Sequence, residues 1–152
     1  MSNNYFSSRP HKTVKLQYEN EDVEIDEDLA PLIQEIWKAD IATMMCCQET
    51  DAGIAWIEFD SMDDFLQFIN IVVKYEEGAN TLYNRVNYQL TGDISKPLWE
   101  YHVDLLDIEA AAERRRDGRE KADFDATVGI SFPRVDLPII FERIQAFNRH
   151  RL

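Results

Sequence analysis

Apolar and polar residues alternate through residues 43–59 and then switch to a helical spacing, which makes this stretch the clearest organising feature of the chain. Thr43, Met45, Cys47 and Glu49 fall on one face of an expected strand, with Met44, Cys46 and Gln48 on the other. Thr50-Asp51-Ala52-Gly53 reads as a turn. The next strand sets Ala55, Ile57 and Phe59 against Ile54, Trp56 and Glu58. Ser61, with Asp64 three residues later, predicts a capped helix start. Phe65, Phe68, Ile69, Val72 and Val73 then form an apolar stripe for packing on a sheet.

Upstream, residues 1–12 are polar and predict a flexible N-terminus. Val14, Leu16 and Tyr18, a turn at Glu19-Asn20-Glu21-Asp22, and Val23-Glu24-Ile25 predict a small hairpin. Leu29, Leu32, Ile33, Ile36 and Trp37 predict a helix capped by the acids from Asp26 to Asp28. Downstream, residues 76–97 show no clean period and are left unassigned. Trp99, Tyr101, Val103 and Leu105 alternate with polar residues as a strand. Residues 109–125 are highly charged and read as an exposed, mobile connection. Ala126, Val128, Ile130 and Phe132 mark another strand. A last helix is expected to be capped by Asp136, with Leu137, Ile140, Phe141, Ile144 and Phe147 inward.

A short repeat is visible: Ile57-Glu58-Phe59 then Asp63 matches Ile130-Ser131-Phe132 then Asp136, each preceded by a strand and followed by a helix. The fold class predicted is α+β, a twisted antiparallel sheet with about three helices packed mainly on one face, plus the N-terminal hairpin. Residues 13–152 form a single domain on this reading.

Composition narrows the partners. At 152 residues and 45% hydrophobic, the chain can bury one ordinary core. No apolar run reaches membrane length and no signal-peptide pattern opens the chain, so a cytoplasmic location is expected. Two adjacent cysteines build no disulfide framework, so reduced thiols are expected. A net charge of −13 argues against direct nucleic-acid binding, which needs a positive surface.

At Cys47-Gln48-Glu49 followed by Gly53-Ile54-Ala55-Trp56-Ile57-Glu58-Phe59, the chain resembles an uncharacterised family of small bacterial and phage proteins with "TMxSCQE" and "GxAWxEF" motifs. Leu29-Ala30-Pro31-Leu32-Ile33 and Ile36-Trp37 match its earlier segment, and Cys46 stands where the family has serine. The resemblance covers about residues 23–73, with a looser patch at 131–138. It implies a cytosolic protein of bacterial or phage origin and carries no known activity.

The expected sheet places Trp56, Glu58, Glu100, His102, Asp104, Thr127 and Ser131 on the face away from the helices, joined by one of the two cysteines. An aromatic among carboxylates, an imidazole and hydroxyls is how a ligand groove or dimer interface is built. The basic run Arg114, Arg115 and Arg116 reads as a clamp for a phosphate-bearing ligand. Trp56, Glu58, His102, Asp104 and the three arginines are therefore the expected ligand-binding residues. A Cys47–His102 nucleophile–base pair, or acid–base work by Glu58, His102 and Asp104, is the catalytic alternative. The acids at Asp22, Glu24, Asp26 and Asp28 lack the glycine and glutamate spacing of an EF-hand. No CxxC pair or phosphate-binding glycine loop is present, so no metal or cofactor is expected.

The function expected is a non-enzymatic binding protein, homo-oligomeric, that sequesters a small anionic, nucleotide-like ligand or blocks a host protein. The alternatives are the small enzyme just described and an acidic decoy that mimics nucleic acid.

Overall fold

Residues 13–26 turn back on themselves because Glu19 and Asn20 both adopt positive φ, the backbone that joins two twisted strands through a two-residue loop. The computed structural model describes residues 11–89, 92–106 and 125–151. The hairpin strands are β1 (Thr13–Tyr18) and β2 (Glu21–Asp26), as the alternation predicts. Helix α1 (Ala30–Lys38) follows. Its cap position is Leu29, with no side-chain capping bond. The acids expected to cap it are used elsewhere. Asp26 Oδ2 accepts the Gln48 amide at 2.9 Å, and Asp28 meets the Arg134 guanidinium at 2.6 Å.

Strand β3 (Thr43–Asp51) and strand β4 (Ile54–Phe59) form a hairpin that turns at Gly53, where φ is +76°. Helix α2 (Met62–Val72) starts as predicted, with Ser61 Oγ accepting the Asp64 amide at 3.1 Å. The Asp64 carboxylate does not return to the cap backbone. Its Oδ1 accepts the Ala42 amide at 3.0 Å, tying the helix start to the start of β3.

Strands β5 (Glu100–Leu106) and β6 (Asp125–Pro133) complete a four-stranded antiparallel sheet in the order β3-β4-β6-β5. A 3₁₀ turn at Arg134–Asp136 leads into helix α4 (Leu137–His150). The repeat read in the sequence is therefore structural: two strand–strand–helix units meet where Ile57 pairs with Ile130, at the centre of the β4–β6 pairing. The charged connection lies outside the described residues up to residue 124, as do Arg114, Arg115 and Arg116.

The inward face behaves as the period-2 pattern requires. Ile57, Phe59, Ile130, Phe132 and Trp99 are fully buried against Phe68, Val72, Ile140 and Ile144 of the helices. Each such side chain contributes about 1.5–3 kcal/mol by leaving water. The face is not covered to its end: Tyr101, Val103 and Leu105 point the same way yet are 38%, 48% and 49% exposed.

The unassigned connector hides the most polar piece of the core. Helix α3 (Leu82–Asn87), capped by Thr81, carries Arg85, which is only 2% exposed. Its guanidinium donates to both carboxylate oxygens of Asp136, at 2.7 and 2.8 Å, and also to the Pro97 and Asn80 carbonyls. The Trp99 indole donates to Asp136 Oδ2 at 2.9 Å. Asp136, expected as a helix cap, makes no capping bond because this cluster occupies its carboxylate.

Two measurements check these interactions. Asp136→Ala leaves a desolvated guanidinium without its counter-charge and should lower the urea-unfolding free energy by about 3–5 kcal/mol, whereas Arg85→Met with Asp136→Leu should cost much less. Equal losses would show that the charges themselves are not what matters.

Tyr101 supplies a pH test. More than a third of its surface is open, but its hydroxyl is tucked inward, donating to the Val86 carbonyl at 2.9 Å. Burial, followed by the nearby Tyr88, raises its pKa above the ordinary 10.0. The folded state therefore holds this proton more tightly than the unfolded chain, so its stabilisation is complete below pH 10 and declines as pH rises further. Tyr101→Phe should cost about 0.5–1.5 kcal/mol at neutral pH and shallow the alkaline fall in stability.

Candidate functional site

Strand register decides which side chains share the sheet's outer face. Cys46 pairs with Ile57 and Cys47 with Trp56, so Cys47 is the cysteine that joins Trp56 on the outside. A bulge between Thr43 and Met45 breaks the expected alternation. Thr43 lies opposite Phe59 and accepts the Trp37 indole N–H at 2.9 Å, while Met45 lies opposite Glu58. Across the sheet, Trp56 is level with Ser131 and Glu100, and Glu58 with Gly129 and His102.

Trp56, Glu58, His102 and Asp104 do share this face, but they form no single constellation. Glu58 and Thr127 are buried, and the Thr127 hydroxyl donates to Glu58 Oε2 at 3.1 Å. Trp56 lies across Gly129, where a Cβ would stand 2.9 Å from the indole nitrogen. His102 and Asp104 instead pair with each other at 3.0 Å on the open edge strand, with side chains 71% and 52% exposed. Glu58, on β4, lies two strands away from His102 and its carboxylate is engaged with Thr127, so an acid–base group of Glu58, His102 and Asp104 is not assembled.

The Cys47–His102 pair is also overturned. Cys47 is on edge strand β3 and His102 on edge strand β5, three strand spacings apart, on the order of 14 Å or more. The imidazole beside Cys47 is that of His11, with Nε2 3.5 Å from Sγ. Asp26, at the end of β2, completes a cluster whose three ligand-type atoms lie within 4.8 Å of one another. Cys47 is 2% exposed, so its sulfur has almost no surface for a substrate to reach. The neighbouring Cys46 faces the helices. Burial, then the charges of Asp26 and Cys47, push its thiol up to about 12, which keeps it a protonated, unreactive core group.

Sequence reasoning missed His11 and Asp26 as partners of Cys47. Three histidines were available to a cysteine, but only the docking of the hairpin on β3 selects between them.

The open part of the sheet is β5. Its outward residues Glu100, His102 and Asp104 and its opposite-face residues Tyr101, Val103 and Leu105 are all exposed. Beside its start lies a cleft of about 400 Å³ lined by Thr50, Asp51, Ile54, Tyr88, Glu100 and Ser131 among others, with no basic side chain among the described residues. Four of the five described arginines are ion-paired: Arg85 with Asp136, Arg134 with Asp28, Arg143 with Glu76 and Arg151 with Asp40.

These features define an α+β protein built from a doubled strand–strand–helix unit, with one sheet edge docked by a hairpin and the other exposed. The chain is similar to Uncharacterized protein R428 of Acanthamoeba polyphaga mimivirus, 26% identical over 147 residues, which cover 93% of this chain and 73% of that protein. No protein-family model matches the chain, and no solved structure matches it. The resemblance to a bacterial and phage family is thereby corrected: the similarity found is to a protein of a giant virus of amoebae. No helix among the described residues is long and apolar enough to cross a membrane.

The Trp56–Gly129 contact can be tested directly. Gly129→Ala should cost about 1–3 kcal/mol because the indole must move. In a Trp56→Ala background the same substitution should cost much less, a coupling of about 0.5–3 kcal/mol by double-mutant cycle. Additive losses would mean the two positions do not press on each other.

Proposed function

We propose that this chain is a non-enzymatic binding protein whose partner is another protein, engaged along the exposed edge strand β5. The observation that carries this reading is the exposure of both faces of one edge strand: Tyr101, Val103 and Leu105 on one side, Glu100, His102 and Asp104 on the other. An edge strand offers its backbone to an extended segment, and alternate side chains supply specificity. Two carboxylates on the polar side, in a chain of net charge −13, favour a segment with basic residues alternating with apolar ones. A small anionic ligand has less support, because no lysine or arginine occupies the β5 positions. A second copy paired antiparallel about His102 would set Glu100 against Asp104, a like-charge contact.

An alternating lysine–valine peptide is a suitable probe. Amide resonances of residues 100–106 should shift on its addition, with affinity falling as salt rises. Glu100→Lys with Asp104→Lys should weaken binding at least about tenfold, or 1.4 kcal/mol, with the fold retained. Absence of shifts in 100–106, concentration-dependent shifts there without peptide, or tight binding of nucleotides instead would overturn the proposal.

A further inference from the structure

Three chain segments converge at the other edge of the sheet. His11 precedes β1, Asp26 ends β2, and Cys47 lies in the middle of β3. We propose that His11 Nε2, an Asp26 carboxylate oxygen and Cys47 Sγ form a binding site for a zinc-class divalent cation that clips the hairpin to the sheet. This site is separate from β5 and independent of the reading given for that edge.

Distance is the first argument. Zinc binds cysteine sulfur at about 2.3 Å and histidine nitrogen at about 2.0 Å, and tetrahedral angles then place the two ligand atoms about 3.5 Å apart. The observed separation of Sγ and Nε2 is 3.5 Å. A thiol–imidazole hydrogen bond satisfies that pair, and the Asp26 carboxylate, held beside β3 by the Gln48 amide, adds a third donor of ligand type to the same point. All three ligand atoms lie within 4.8 Å of one another, so side-chain shifts of about 1 Å bring them to the spacing of one tetrahedral centre.

The ligand set selects the metal. One sulfur, one imidazole nitrogen and one carboxylate oxygen suit zinc and its neighbours in the transition series, whereas calcium and magnesium take oxygen shells. Orientation comes from outside the ligand set. The Gln48 amide donates to Asp26 Oδ2 at 2.9 Å, and the Asp28 amide donates to Gln48 Oε1 at 2.8 Å, which holds the carboxylate beside β3. Burial of Cys47 with partial burial of His11 and Asp26 shields the centre from bulk water. Three protein ligands leave a fourth position for water or another donor.

Cobalt(II), a spectroscopic stand-in for zinc, reads each part of the proposal on the full chain. After chelator treatment, one equivalent of cobalt should give a thiolate-to-metal charge-transfer band with the visible intensity of tetrahedral coordination, and zinc should displace it. Cys47→Ser should abolish the band. His11→Ala and Asp26→Asn should each weaken binding at least tenfold, and Cys46→Ser should leave it intact. Zinc should raise the melting temperature of the wild type and of Cys46→Ser, but not of Cys47→Ser. Circular dichroism of each metal-free variant establishes that it is folded. A silent cobalt titration of folded wild type, or a band that survives Cys47→Ser, would overturn the site. So would rapid alkylation of Cys47 that depends on His11 and is unaffected by zinc, since that is the behaviour of a nucleophile.

Discussion

The antiparallel pairing of β4 with β6 is the constraint from which the rest of the structure follows. It joins the two strand–strand–helix halves edge to edge at Ile57 and Ile130, and it makes both strands central. A central strand has its backbone groups met on both sides and its inner face closed by helices, so its inward residues must be apolar and close-packed. Ala55, Ile57, Phe59, Val128, Ile130 and Phe132 meet that demand. The same pairing forces β3 and β5 to the margins, and the two edges are treated differently. The hairpin docks on β3, where Asp26 takes the Gln48 amide. Strand β5 keeps both faces in contact with solvent. Each candidate site sits at one of these edges for that reason.

The second unit is secured by charge as well as apolar packing. Arg85 and Asp136 come from segments far apart in the chain, and both are almost fully removed from water. Such a pair adds little net stability over an apolar replacement, but it tolerates only one arrangement, because either partner left alone in the interior is costly. The guanidinium meets two carboxylate oxygens and the carbonyls of Asn80 and Pro97, while the Trp99 indole shares Asp136. That network ties α3 to the segment just before β5, at Pro97 and Trp99, and to the turn that begins α4. Thr81 caps the short helix from which Arg85 reaches, so local capping and the distant ion pair reinforce each other.

Local pattern by itself determined much of this protein. The strands, the turn at Gly53, the start of α2 at Ser61, the N-terminal hairpin and the inward face of the sheet follow from period-2 and helical spacing, because burial of one face imposes those periods directly. The placement of Trp56, Glu58, His102 and Asp104 on one outer face was legible for the same reason. Which of them meet was not. Sequence period carries no information about distance across strands, so the pairings Glu58 with Thr127 and His102 with Asp104, and the separation of Cys47 from His102, were decided by register. The bulge at Thr43 to Met45 shifted faces in a way alternation cannot signal. Acids such as Asp26, Asp28 and Asp136 look like helix caps in sequence because a cap needs only a short polar side chain nearby. Tertiary structure gave them an amide of β3, the guanidinium of Arg134 and that of Arg85 instead, since long-range partners brought in by packing satisfy a carboxylate more fully than the helix end beside it.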